Sequence, residues 1–452
     1  MTKQSKSKAI AHHICLTLQS AGHEAYWAGG CVRDQHLGIP PKDYDIATSA
    51  LPEQVEALFS KTLAIGKSFG VIAVIEDQIQ TDVATFRAEA PYSDGRHPDA
   101  VTFCAAAEDA KRRDFTINAL FYDPITERLI DYVDGKVDLE AGLIRAIGNP
   151  LERFQEDHLR LLRAVRFSHV LGFKIEPTTL QALKTEAATI HAISVERIER
   201  ELTRTLTESL QPGDALHTLQ QVGLLPVILP EVTRLIGVEQ PPDYHPEGDV
   251  YTHTRMMLNL IKDVADDAGF TKQELAYATL LHDIAKPDTY ALHPDPKTGG
   301  KRIRFLEHEV KGAVLADTIL KRLKIPNHQR QRIIDVIANH MRPFQATQMR
   351  ASSLRRMMGA PTFPLLLELH RLDGLGSRGL LPSYTFLHKA YHTYTNEPIL
   401  PEPWITGRDL IALGMPDGPA LGRLLSDAYD RQLEETEPDR EALLDWIKKH
   451  QK

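Results

Sequence analysis

Apolar residues recur at helical spacing through residues 1–22 and the pattern stops at Gly22, so the chain opens on one amphipathic helix. The spacing then shortens. Ala25–Ala28 reads as a strand or its lead-in, residues 31–37 as a short helix stopped by Gly38, Pro40 and Pro41, and residues 42–47 as a second strand. Pro52 suits the first position of a helix, PEQVEALF. GVIAVIE (70–76) and TDVATF (81–86) then read as two strands joined at DQIQ in a hairpin. The apolar run FTINALFYDP fits either a short helix capped by Asp114 or a strand. Residues 130–147 predict further β structure, with turns at Asp134-Gly135 and Ala141-Gly142. From Phe154 to about residue 230 the periodicity is helical. Pro241-Pro242 and the polar run DYHPEGD suggest a linker into a second helical unit that runs to about residue 397. Residues 402–452 add more helix, with Gly407, Gly414, Gly418 and Gly422 marking turns. The fold class predicted is α+β: a mixed-sheet head of about 140 residues, then helices.

A chain of 452 residues holds two to four domains. No run of eighteen apolar residues occurs, so no membrane span is expected. The start, MTKQSKSKAIAHHICLTLQ, lacks a long apolar stretch and a small-residue cleavage site, and reads as helix rather than as a leader. Cys15, Cys31 and Cys104 offer neither a disulfide framework nor a zinc spacing, which points to a reducing cytoplasm. The net charge of −8 excludes a basic coat for bulk nucleic-acid binding, but leaves room for a local basic groove.

The chemistry begins at Gly29-Gly30. Paired glycines let a backbone turn tightly and approach a ligand, and a helix starting there presents free N–H groups to a phosphate. Asp43 and Asp45 are two apart, which in a strand puts both carboxylates on one face. Asp82 on a neighbouring strand would complete an acidic set for two Mg²⁺ ions, against the plain reading of an exposed strand aspartate. Arg33, Arg112 and Arg113 can neutralise phosphate charge.

Five motifs occur in order: Gly29-Gly30-Cys31-Val32-Arg33-Asp34; Asp43-Tyr44-Asp45; Arg112-Arg113-Asp114-Phe115-Thr116-Ile117-Asn118-Ala119; Glu156-Asp157-x-x-Arg160; and Glu196-Arg197-Ile198-x-x-Glu201. Together they resemble the class II nucleotidyltransferases, the tRNA CCA-adding enzymes and bacterial poly(A) polymerases, over roughly the first half of the chain. The resemblance implies a polymerase-beta-like nucleotidyltransferase head (1–148), a helical neck for base recognition and RNA binding (149–240), a helical body (241–397) and a helical tail (398–452). It implies nucleotide contacts from Gly29, Gly30, Arg33, Arg112, Arg113, Asp114 and Asn118. It makes Glu196, Arg197 and Glu201 supports of the neck helix. The family also uses a loop at the place of YSDGRHPD for the switch to A, which favours CCA or A addition over CC alone.

Asp157 and Arg160 are three apart, hence on one helix face, and Arg163 and Arg166 extend the row. Cytosine and adenine each set an exocyclic amine beside a ring acceptor; a carboxylate accepts from the first and a guanidinium donates to the second. Uracil and guanine invert that pattern, and each buried polar group left unpaired costs about 1–3 kcal/mol. Taken alone the pair reads as a helix salt bridge; within this motif order it reads as template-free base selection, as in the family.

Further on, His253, His282, Asp283 and Asp373, with His308 and His340, lie within helical patterns, where a buried charge needs a partner or a metal. This set resembles the HD phosphohydrolases. His253, His282, Asp283 and Asp373 are the expected ligands of a second divalent metal (Mg, Mn, Ni or Zn), unless the unit is a scaffold that binds RNA without hydrolysis. The glycine-turned tail, residues 406–425, suits backbone contact to RNA phosphates and resembles the tail of HD-containing family members. The expected activity is addition of CCA to a tRNA 3′ end from CTP and ATP. The alternatives are a poly(A) polymerase or A-adding enzyme, an HD phosphohydrolase whose first half only binds nucleotide, and a non-catalytic RNA scaffold.

Overall fold

The computed structural model describes residues 3–89, 101–265, 267–296, 299–379, 381–393 and 398–450. The loop YSDGRHPD at 92–99 lies outside them. The chain packs as two compact units, Met1–Pro230 and Glu231–Lys452.

In the first unit, α1 (Lys3–Ser20) buries Ile10, Ala11, Ile14, Cys15 and Leu18, a stripe at helical spacing. It lies against a seven-stranded mixed sheet of order β3-β4-β5-β2-β1-β8-β9. These strands are β1 (Ala25–Ala28), β2 (Asp45–Thr48), β3 (Thr62–Gly66), β4 (Val71–Glu76), β5 (Ile79–Thr85), β8 (Phe121–Asp123) and β9 (Arg128–Ile130). A separate hairpin joins β6 (Arg87–Glu89) to β7 (Val101–Phe103). All neighbours in the large sheet are antiparallel except β2 and β5, which run parallel with Ile46 opposite Val83. The expected hairpin is present, but its turn is only Asp77-Gln78, both at positive φ, between Glu76 and Ile79.

Two local readings need correction. Strand β2 begins at Asp45, so Asp43 sits in the approach to the strand and not within it. Residues 130–147 are not continuous β: α5 (Gly135–Ala141) fills the middle. The two expected turns are its ends, with Asp134 at φ 59° before it and Gly142 at φ 64° closing it in the left-handed region. Gly135 is required by packing, since a Cβ there would fall on the carbonyl oxygen of Thr116 and within 2.9 Å of its carbon. We expect Gly135→Ala to lose about 1–3 kcal/mol in denaturant unfolding, because backbone must shift to admit the methyl group. The shift would also disturb the 3₁₀ turn Thr116–Asn118 that carries a site residue.

After the head come α6 (Pro150–Glu156), α7 (Leu159–Leu171), α8 (Pro177–Glu186) and α9 (Val195–Glu208), with α7 lying along α9. The expectation that Asp157 and Arg160 share one helix face is thus overturned, because the chain breaks between α6 and α7. Asp157 is extended (φ −142°, ψ 102°); its side chain accepts the Leu159 N–H at 3.1 Å and its carbonyl accepts that of Arg160 at 3.0 Å. An aspartate here competes with the helix for its own backbone donors and starts a new helix.

In the second unit, helices Val250–Asn259, Lys272–Leu281, His308–Arg322, Asn327–Asn339 and Phe363–Gly376 form the body. The body also carries an antiparallel hairpin, Tyr290–Pro294 with Lys301–Phe305, that the helical reading omitted. Further helices follow, ending in Pro419–Leu433 and Arg440–His450, which share a small apolar core around Leu410, Leu424 and Ile447. Among the described residues, no helix is long and apolar enough to cross a membrane.

Candidate functional site

A cleft of about 980 Å³ in the first unit is lined by the expected metal-binding and nucleotide-contacting residues of the head and neck. From the head these are Gly29, Gly30, Arg33, Asp43, Asp45, Asp82, Arg112, Arg113, Asp114 and Asn118; from the neck they are Asp157, Arg160, Arg163 and Arg166.

The floor is the loop between β1 and α2 (Gly30–His36). Gly29 (φ 72°) turns the chain so tightly that a Cβ would come within 3.1 Å of Arg113 Nη1. The positive φ and this close approach explain why glycine stands there. The parallel register of β2 and β5 sets Asp45 and Asp82 side by side, each one residue ahead of the Ile46–Val83 pair. Enclosure in the cleft, and then the charges of Asp43 and Asp82, push the Asp45 carboxyl up to about 6 against the pull of Arg113. A poorly solvated carboxylate beside two others fits a divalent ion.

Around them runs a guanidinium network. Arg33 Nη1 donates to Asn118 Oδ1 (2.7 Å), Asn118 Nδ2 donates to Asp114 Oδ1 (3.1 Å), and Arg163 Nη2 lies 2.6 Å from Asp114 Oδ2. Burial raises the Asp114 carboxyl, but Arg163 and Asn118 outweigh it and hold it at about 2. Arg33, Arg163 and Arg166 all stack over Phe167, at 5.1, 5.1 and 4.2 Å from the ring centre. Arg166 lines the cleft from behind: it is 2 % exposed, its Nε donates to Glu201 Oε2 at 2.5 Å, and it holds the wall rather than facing a ligand.

Asp157 and Arg160 meet in the cleft although no single helix face carries both. Arg197 Nη2 donates to Asp157 Oδ2 at 2.8 Å. Arg160 donates to Glu156 Oε2 (2.6 Å) and to the carbonyls of Arg153 (2.9 Å) and Arg112 (3.1 Å). Arg197 and Glu201 thus brace the cleft from α9.

Sequence reasoning missed Asp109. On α4 (Ala106–Lys111) it is 1 % exposed, lies 2.7 Å from Arg112 Nη2 and 3.1 Å from Arg113 Nη2, and accepts the Arg87 N–H. Burial raises its carboxyl, yet Arg113 and Arg112 bring it below the usual carboxylate range. Its position three and four residues before the arginine pair was the available signal.

A second constellation lies in the other unit. The helices bring His253, His282, Asp283, His308, His340 and Asp373 together, all buried. They form two neighbouring sets, His253/His282/Asp373 and Asp283/His308/His340. Each imidazole has Nδ1 tied back: His253 to Glu247 (2.6 Å), and His282, His308 and His340 to the carbonyls of Thr279 (2.9 Å), Phe305 (2.7 Å) and Ile337 (2.7 Å). These groups only accept, so each Nδ1 carries a proton and each Nε2 turns inward. His308 and His340 then face each other, Nε2 to Nε2 at 3.2 Å. His282 Nε2 is buried 3.1 Å from Asp283 Oδ2, off the line a hydrogen bond needs. His253 Nε2 is likewise buried, 3.2 Å from Asp373 Oδ1 and also off that line.

Four imidazole Nε2 atoms converging beside two carboxylates fit a divalent cation. The titration of the groups agrees. Burial and His282 bring His340 down to about 3, the neutral form a metal requires. Burial also pulls His253 down, but Asp373 and Glu247 outweigh it and push it up to about 9, so a cation there would displace a proton. Asp283 is held well below the usual range by His282 and Lys286 against its burial, and Lys286 Nζ reaches both Asp283 Oδ2 and Gln240 Oε1 at 2.7 Å. His245 and Glu247 belong to the Pro/Gly-rich stretch read as a linker and Gln240 directly precedes it, and no motif signal marked them.

Residues 25–145 match the poly A polymerase head domain, 172–236 the probable RNA and SrmB-binding site of polymerase A, and 250–373 the HD domain. The chain is 48% identical over 195 residues to a CCA-adding enzyme of Lacticaseibacillus paracasei, covering 43% of this chain and 49% of that protein. It is 44% identical over 216 residues to one of Levilactobacillus brevis, covering 48% and 54%. The chain thus spans about half the length of the curated relatives it matches. Its fold is similar over 100% of its length to 98% of the Bacillus stearothermophilus CCA-adding enzyme solved in complex with CTP, at TM-score 0.71 and 25% identity. It also resembles the Thermotoga maritima CCA-adding enzyme complexed with tRNA, over 98% of this chain and 95% of that one, at TM-score 0.58 and 20% identity, a likeness of fold.

Proposed function

We propose that the chain is a class II nucleotidyltransferase that adds CCA to tRNA 3′ ends from CTP and ATP without a nucleic-acid template. The observation that carries this reading is the single cleft that unites three crowded carboxylates, a ring of arginines and the Asp157/Arg160 pair. In this reading the four-part division at residues 148, 240 and 397 stands as head, neck, body and tail.

The RNA 3′-hydroxyl attacks the α-phosphate in line, and pyrophosphate leaves. Asp43, Asp45 and Asp82 would hold Mg²⁺, which when bound acidifies the attacking hydroxyl and neutralises the triphosphate. The Gly29-Gly30 turn lets the triphosphate approach backbone, and Arg33, Arg112 and Arg113 offset its charge. Asp114 and Asn118, fixed by Arg163 and Arg33, face the ribose. Asp157 accepts from the exocyclic amine of C or A, and Arg160 donates to the neighbouring ring nitrogen. We place the chain in the cytoplasm, consistent with three free cysteines.

The test offers tRNA lacking its end with CTP and ATP, separately and together. Addition of C, C and A followed by arrest is the expected result. A long A tract with no C would overturn this reading in favour of a poly(A) polymerase, and addition of A alone to a CC end in favour of an A-adding enzyme.

One observation supports a second activity. The inward Nε2 atoms of four histidines with Asp283 and Asp373 suit a divalent metal, Mg, Mn, Ni or Zn, for phosphoester hydrolysis at RNA ends.

A further inference from the structure

We propose that Glu247 is the positioning residue that makes His253 a metal ligand, so that the segment 239–249 is a working part of the HD centre rather than a linker. The inference rests on the metal-binding reading of that centre.

Of the four imidazoles, three are oriented by backbone carbonyls that no substitution removes. His253 alone among them is oriented by a side chain, the Glu247 carboxylate at 2.6 Å from Nδ1. That carboxylate is nearly sealed, its side chain 3 % exposed; the same Oε1 takes His245 Nδ1 at 2.8 Å, while Oε2 is buried without a partner. Leaving a carboxylate in such a place is unfavourable unless its charge is used. Here its use is to hold the proton on Nδ1 and direct Nε2 toward Asp373 and the His282 ring, whose centre lies 5.7 Å from that of His253. A carboxylate partner also makes the imidazole a stronger donor than a carbonyl does.

The segment is built to deliver Glu247. Asp249 caps the helix Val250–Asn259, accepting from Thr252 N at 2.8 Å and from Gly237 N at 2.6 Å, and Val250 N bonds back to the Val238 carbonyl. The chain between these ties folds over the end of that helix. Gly376 leaves room for the ring: a Cβ there would come within 2.8 Å of Met257 Cγ and 3.6 Å of His253 Cε1.

The test titrates Mn²⁺ calorimetrically into the full chain carrying Asp43→Ala and Asp45→Ala, so that the head cleft does not contribute, with His253→Ala as the reference loss. Adding Glu247→Ala should weaken Mn²⁺ binding about 10- to 100-fold. Glu247→Gln, which keeps the shape and an acceptor but not the charge, should lose less. In an otherwise unaltered chain, Glu247→Ala should leave CTP incorporation intact, which separates a local effect from unfolding. If incorporation is lost as well, Glu247→Gln decides by the same measure: weaker binding supports the inference and parental binding overturns it. Parental affinity in the Glu247 variants alongside loss in His253→Ala overturns the inference alone. A parent chain that takes up no Mn²⁺ overturns the metal reading, and the inference with it.

Discussion

Asp45→Asn should lower nucleotide incorporation by about 10³-fold or more while raising the melting temperature of the metal-free protein near pH 7.5. The two effects share one cause. Asp45 stands beside Asp82 on parallel strands and close after Asp43, and enclosure together with those charges lifts its carboxyl to about 6. An unfolded aspartate titrates near 4, so between roughly pH 4 and 6 the folded chain binds more protons than the unfolded one. Stability is therefore fully present below that window and is lost as the pH rises through it. At neutral pH the folded head carries a poorly solvated carboxylate facing two others, a cost that asparagine, nearly the same in shape, removes. Mg²⁺ should narrow or reverse the difference, because it stabilises only the chain that can bind it. Calorimetry of both proteins at pH 4.5 and 7.5, with and without Mg²⁺, checks the pattern. A variant less stable than its parent at pH 7.5 without metal would count against a site held under charge strain. Incorporation that survives would remove Asp45 from the reaction.

The same residues show what could be read from the chain. Features encoded within a few neighbours were legible: the stripe of α1, Pro52 opening α3 (Pro52–Leu58), and the glycine turn before α2. The motif residues also found one another, because the order of motifs constrains which elements meet. What was misread depends on competition or on return of the chain. At Asp157 a side chain takes backbone donors that periodicity assigns to a continuous helix, so two helices replace one. In α5, seven residues are too few for a helical period to show, and the two correctly placed turns framed the wrong interior. Asp109 looked like one more surface acid until burial against Arg112 and Arg113 gave it a task. His245 and Glu247 lie in a stretch whose prolines and glycine read as linker, and only the fold returns them to His253.

Removing the base-reading carboxylate should relax the choice of nucleotide more than it slows the reaction. In Asp157→Ala the ratio of kcat/KM for CTP over UTP should fall about 10- to 100-fold, because each mismatched buried polar group is worth about 1–3 kcal/mol. The geometry explains why the pair can discriminate without a template. Arg160 is 6 % exposed and spends three of its donors on Glu156, Arg153 and Arg112, which leaves Nε–H and one Nη2–H in a fixed direction. Asp157 is held by Arg197 and by the Leu159 N–H, and its remaining lone pairs are fixed in turn. Neither group can swing to suit a base with the opposite pattern, so uracil meets a carboxylate with its carbonyl and a guanidinium with its N–H. Arg160→Lys should lose discrimination too, since an ammonium cannot satisfy three acceptors and still donate in the plane of the base. That variant also weakens one of the two arginine pairs of Glu156, leaving Arg153, so its melting temperature must be compared with that of Asp157→Ala before the two ratios are. Arg197→Ala isolates the bracing: Asp157 remains but loses its partner, and the CTP:UTP ratio should drop part of the way. A ratio unchanged in Asp157→Ala would move base selection off this pair and onto some other wall of the cleft.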